Sequence, residues 1–294
     1  MLVSRLLMLG VIALALPAIA SAQTFTNYDK FTGPLSSALW GGFEANTSFA
    51  VISNTESRRA VLQPDPLVAN RFLHLALVTG HPGTVINTGG AGVGQQILRM
   101  MRDDIVSGDV AVTGLKTTMV MVSAAAGACP SGDTSTLARA RMMASFFNDG
   151  SSAGAGDATG DILAELSVEL QTSTSGAVTR TITALRTRCE DAQCNNAETV
   201  SQTFTRRWKI GVGVPLTIVW DRANSQFVYT AGAGTTAEVH TISYAPSTVV
   251  GPSVLNLRDL RVANTLPACS TAVKASTTAR FDFLKVSTEA GVFP

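Results

Sequence analysis

The residues best suited to bond-breaking chemistry are Glu165 and Glu169, in the run "GDILAELSVELQ" (160–171), with Ser167 midway between them. Two carboxylates on one face are the equipment of glycoside cleavage. One protonates the leaving oxygen while the other attacks the sugar or activates water. Four residues of strand separate their backbones by about 13 Å, so the side chains must lean together to reach the roughly 5–5.5 Å of a retaining pair. Ser167 is neutral and cannot supply the nearby negative charge that helps split two carboxylate pKa values. The solvated face of an ordinary strand has the same pattern, and this blander reading carries more weight.

Other chemistry-bearing residues are sparser. Asp149, Asp157 and Asp161 lie in the Gly- and Ser-rich stretch "NDGSSAGAGDATGD" (148–161) and could offer oxygens to Ca²⁺, although their spacing matches no EF-hand. No other cofactor is expected. His74, His81 and His240 show no zinc-ligand spacing. Gly90-Ala91-Gly92-Val93-Gly94 fits neither nucleotide-binding fingerprint and reads as a turn. Trp220, inside "LTIVW", reads as core. Trp208, flanked by Arg206, Arg207 and Lys209, is the better surface platform for a sugar ring.

These groups must be positioned by strands. In "DILAELSVELQ", Ile162, Ala164, Leu166, Val168 and Leu170 alternate with Leu163, Glu165, Ser167, Glu169 and Gln171, a period of two. That alternation predicts a strand with its apolar face in the core and both glutamates turned to solvent or a shallow groove. "VTRTITALRTRC" is β-branched and continues the sheet, and "PLTIVWDRANSQFVYTAG" reads as a hairpin. "AEVHTISY", "SVLNLRDLRVAN" and "TARFDFLKVS" extend the series, while "GVGQQILRMMRDDI" is the one stretch that reads as a short helix. Short strands separated by Gly, Asn, Asp and Pro turns predict an all-β, antiparallel sandwich or barrel. No linker or repeat divides residues 23–294, which are read as one domain.

The opening "MLVSRLLMLGVIALALPAIASAQ" has one cation, an apolar run and a small-residue Ala20-Ser21-Ala22 site, the marks of a secretory signal peptide spanning 1–22. The chain is therefore expected to be exported, to periplasm or exterior, with no membrane span after cleavage. Removing the leader takes Arg5 with it and leaves 21 basic against 21 acidic side chains. A balanced chain is a poor partner for nucleic acid, which demands a basic surplus. Four cysteines after an export signal predict two disulfides. Cys189 and Cys194 would clasp a local hairpin tip, and Cys129 and Cys269 would tie distant loops.

"YDKFTGPLSSALW" (28–40) resembles the opening segment of secreted domains in the concanavalin A-like lectin/glucanase superfamily. The hairpin "PLTIVWDRANSQFVYTAG" and the closing strand "ARFDFLKV" resemble later segments of the same superfamily. The resemblance implies a two-sheet jelly-roll sandwich whose curved sheet can hold a saccharide and whose closing strand lies beside the first. Phe31, Trp40, Phe281 and Phe283 would then share a core. Family 16 glycoside hydrolases of this superfamily carry E-x-D-x-E on one strand; here the run is Glu165-Leu166-Ser167-Val168-Glu169, with Ser167 in place of the Asp. The expectation is thus a non-catalytic protein that binds a polysaccharide or cell-surface glycan through Glu165, Ser167, Glu169 and Trp208. The alternatives are a family 16-like hydrolase using Glu165 and Glu169, and a structural or adhesive surface protein.

Overall fold

Alternation becomes geometry along the strand that carries the glutamates. Ile162, Ala164, Leu166, Val168 and Leu170 are buried in the main core, and the side chains between them occupy the opposite face of the sheet. The structure, a computed structural model, describes residues 23–41, 49–50, 55–62, 71–80, 92–101, 110–245, 251–255, 257–269 and 273–292. The leader 1–22, His81, Gly90 and Ala91 lie outside these residues.

The strands in chain order are β1 (Thr26–Asp29), β2 (Trp40–Gly41), β3 (Phe49–Ala50), β4 (Thr55–Leu62), β5 (Phe72–Thr79), β6 (Gly92–Met100), β7 (Val110–Ala126) and β8 (Thr136–Asn148). They continue as β9 (Asp161–Thr172), β10 (Val178–Cys189), β11 (Ala197–Thr203), β12 (Gly213–Asp221), β13 (Gln226–Ala231), β14 (Glu238–Ser243), β15 (Arg258–Leu266) and β16 (Ala275–Ala290). One sheet runs β14-β13-β12-β7-β16-β5-β4, with β1 also paired to β16; the other runs β11-β10-β9-β8-β15-β6-β2, with β3 also paired to β6. Every pairing is antiparallel. The architecture is a two-sheet antiparallel β-sandwich.

The core between the sheets is apolar, with the rings of Phe146, Phe147, Trp220, Phe227 and Tyr244 packed together on one side. Buried Asn264 on β15 ties the two sheets. Its amide donates to Thr79 Oγ1 on β5 at 3.2 Å and to the Ala275 carbonyl on β16 at 3.1 Å, and it accepts from Thr277 Oγ1 at 2.6 Å. The terminal segments meet as the resemblance implies, since Thr26 on β1 pairs with Val286 on β16. Asp29 organises the first motif by accepting from the Phe31 N–H at 2.6 Å and from Trp40 Nε1 at 2.7 Å. These bonds hold Phe31 at φ 53°, a left-handed conformation that a bulky residue adopts only under constraint.

Two expectations need correction here. The stretch expected to be a helix forms β6 instead, because Gln96, Leu98 and Met100 face the core while Gln95, Ile97 and Arg99 face out. Partners on both sides, β15 and β2, supply ladder bonds that outweigh the local helix preference of its residues. Phe283 is half-buried rather than part of the core, and its ring sits 5.5 Å from Lys285 Nζ. A register irregularity between Phe281 and Leu284 puts it on the outer face.

Candidate functional site

The outward face of the second sheet collects charges that the sequence disperses from Arg99 to Arg261. Cross-strand register sets them in rows. One row holds Arg99 on β6, Asp259 on β15, Met143 on β8, Glu165 on β9 and Leu185 on β10. The next holds Ile97, Arg261, Arg141, Ser167 and Thr183, and the third holds Gln95, Ala263, Arg139, Glu169 and Thr181. Between neighbouring strands the step is about 4.8 Å, so each row spans roughly 19 Å.

The two glutamates differ in their surroundings. Glu165 is only 7% exposed, and its Oε2 accepts from Arg141 Nη1 at 2.9 Å. It was expected to face solvent. Met143, Leu163 and Cys189 instead form a small apolar cluster beside it, with Leu255 and Leu257 packed on top. The segment carrying Leu255 is held down by Asp161, which accepts from Ser253 Oγ and from the Val254 and Leu255 N–H groups. Burial makes the guanidinium of Arg141 easier to deprotonate, and although Glu165 opposes this, its pKa falls to about 9, so it stays charged at neutral pH. Arg261 is also buried, but the adjoining carboxylate of Asp259 more than offsets that and raises its pKa. Gln95 Oε1 links the two arginines, accepting from Arg261 Nη1 at 2.9 Å and from Arg141 Nη2 at 3.3 Å.

Glu169 lies at the open end and is half-buried. Its oxygens accept from Ser167 Oγ at 2.6 Å and, more weakly, from Thr183 Oγ1 at 3.4 Å. Both glutamates therefore lean toward the middle row, where Ser167 sits. Ser167 is fully buried and serves to hold Glu169. Across the strand, Arg139 stands directly opposite Glu169 without forming an ion pair with it. Among the described residues Arg139 and Arg99 have no ion-pair or hydrogen-bond partner, and Glu165 Oε1 and the Nε atoms of Arg99, Arg139 and Arg141 are buried without hydrogen bonds.

Trp208 requires a further correction. It is 3% exposed, its Nε1 donates to the Glu169 carbonyl at 2.8 Å, and the Arg180 guanidinium covers its ring at 5.4 Å. It is part of the core rather than an open platform, because that indole N–H needed a buried acceptor and the strand backbone supplied one. Trp220 is in the core as expected. Asp149, Asp157 and Asp161 are not brought together; among the described residues no group of three metal-ligating side chains forms. Asp149 accepts from Arg188 Nε at 2.7 Å and from the Ser151 N–H, and these bonds outweigh its partial burial and lower its pKa. Asp157 accepts from Thr159 Oγ1 and from the Thr159 and Ala153 N–H groups, which also lowers its pKa. Gly160, at φ +85°, is required between them, since a Cβ there would collide with the Asp149 carboxylate. Cys129–Cys269 and Cys189–Cys194 are bonded, with Cα separations of 5.8 and 4.7 Å.

The arginines of this face went unread in the sequence, yet they leave a signal there. "LARARMM" places Arg139 and Arg141 two apart, and "RDLRV" does the same for Asp259 and Arg261. The period that marks core positions marks a charged outer face equally well.

No family model matches the chain, and no curated protein matches it. Solved structures similar to it include a glycoside hydrolase family 16 endo-glucanase from Bacteroides ovatus, at 9% identity over 88% of this chain and 98% of that one, with a TM-score of 0.39. The GlcNAcα1-4Gal-releasing endo-β-galactosidase from Clostridium perfringens is 8% identical over 95% of this chain and 65% of that one, with a TM-score of 0.40. Lectin II from Ulex europaeus is 12% identical over 81% of this chain and 93% of that one, with a TM-score of 0.31.

Proposed function

We propose that the protein binds a glycan on the outward face of its second sheet and does not cleave it. The observation that carries this reading is a set of half-buried groups along that face without ion pairs: Arg139 and Glu169, opposite each other at the open end, and Arg99 in the row of Glu165. A buried polar group without a partner costs about 1–3 kcal/mol, so such a set is held for something that completes it. Sugar hydroxyls both donate and accept, and neighbouring hydroxyls can satisfy a guanidinium and a carboxylate together. Glu165 supports the non-catalytic reading, because Arg141 holds it in a buried ion pair. Among the described residues β6, β8, β9, β10 and β15 place no aromatic side chain on this face, so recognition rests on hydrogen bonds.

The test is affinity electrophoresis against a panel of polysaccharides, with reducing ends assayed in parallel. At least one polysaccharide should retard the protein, and Arg139→Gln and Glu169→Gln should each weaken that retardation several-fold without lowering Tm. No reducing ends should appear. Their release by the wild type, abolished by Glu169→Gln, would show that the leaning carboxylates form a hydrolase.

A further inference from the structure

Beyond Glu169, at the end of the sandwich where the start of β10 overhangs the core, the surface dips into a depression of about 550 Å³ lined by Val178, Thr179, Arg180, Arg207, Trp208 and Lys209. Three of the six are cations, none is an acid, and all three cations are exposed. No carboxylate among the described residues pairs with Arg180, Arg207 or Lys209. Two of them are nonetheless held in place. Arg180 lies over the Trp208 ring at 5.4 Å, and Arg207 Nη1 donates to the Arg180 carbonyl at 3.2 Å. Positive groups fixed around one hollow repel one another, and an anion seated among them removes that repulsion. The volume falls within the roughly 300–1,000 Å³ of small-molecule sites, so it suits a sugar unit better than a bare ion.

The depression abuts the proposed glycan face at its edge: Thr179 shares that face, whereas Val178 and Arg180 alternate to the core side, where Arg180 lies on Trp208. Thr181 belongs to the row of Arg139 and Glu169, and Thr179 stands two residues further along β10, a step of about 7 Å. Val178 is 58% exposed and adds an apolar wall against which the C–H face of a sugar ring can lie. A chain crossing from Arg99 and Arg139 into this end meets five cations without ion pairs. We infer that the depression is a subsite for the carboxylate of an acidic sugar unit, so that the ligand class is a uronate-containing polysaccharide. This inference rests on the glycan-binding reading above.

The experiment measures binding of polygalacturonate and of its fully methyl-esterified, uncharged form, by affinity electrophoresis at low and moderate NaCl. The wild type should bind the acid at least tenfold more tightly than the ester, with the difference shrinking as salt screens the charges. The Arg180→Gln/Arg207→Gln/Lys209→Gln variant should lose that preference and retain ester binding. An Arg180→Lys/Arg207→Lys variant, which gives up the same contacts but keeps the charge, should retain most of it, which separates charge from folding. Equal binding of acid and ester by the wild type, or an unchanged preference in the triple-Gln variant, overturns the subsite and leaves the glycan reading intact. Binding of neither form, nor of any neutral polysaccharide, overturns both. Sedimentation with anionic phospholipid vesicles but not with polygalacturonate would assign these cations to a membrane surface and likewise overturn the subsite.

Discussion

Glu165 and Glu169 share a strand and a face, and only their neighbours distinguish them. Arg141 reaches Glu165 from β8, while hydroxyls of β9 and β10 reach Glu169. Removing one member of a buried ion pair leaves the other uncompensated, so Glu165→Ala should destabilise the protein by about 3–5 kcal/mol. Glu169→Ala, at a half-exposed position, should cost about 1 kcal/mol. The double change Arg141→Met/Glu165→Leu should recover much of the first loss, since apolar replacement of a buried pair is often neutral. Urea unfolding of the three variants checks this, and equal losses for the two alanines would show that burial at Glu165 does not matter. The alternation that puts both glutamates on one face was legible in the sequence. The difference between them was not, because it depends on register with a strand 24 residues earlier and on the covering residues Ser253, Val254, Leu255 and Leu257.

At the scale of elements, the two disulfides are bonded across very different loops. Cys129–Cys269 closes a separation of 140 residues, and Cys189–Cys194 closes five. Loop-closure entropy in the unfolded chain gives about 5 kcal/mol for the long bridge and about 2 kcal/mol for the short one. Replacing each pair by alanine should therefore lower stability unequally, as denaturant midpoints at unchanged slope would show; equal losses would mean that native contacts, not chain entropy, dominate. The short loop has its own support, because Asp191 accepts from the Gln193, Asn195 and Asn196 N–H groups. Hairpin partners such as β12 and β13 were readable from alternation and turn residues. The strand character of β6 was hidden because its eventual neighbours, β15 and β2, lie far away in sequence and nothing local announces them.

At the scale of the whole molecule, the sandwich is held by pairings between distant parts of the chain. Three cations and no acid around one hollow of a protein with 22 basic and 21 acidic side chains mean that its charge is arranged rather than absent. The terminal segments were legible as neighbours through "DKF…W" and "RFDFLKV", since the resemblance these motifs carry implies a meeting. The position of β16 in its sheet was not, because strand order is a global property. That position has a consequence in time. β16 is the last of the described strands in chain order, yet it lies between β7 and β5 and also carries β1, with Val286 pairing to both Leu115 and Thr26. Until it arrives, two long edges stand open and the sheet cannot close. Contacts of such sequence separation make folding slow, so refolding should take seconds or longer, and a chain ending before Ala275 should show no cooperative melt. A millisecond refolding phase of full amplitude would contradict this.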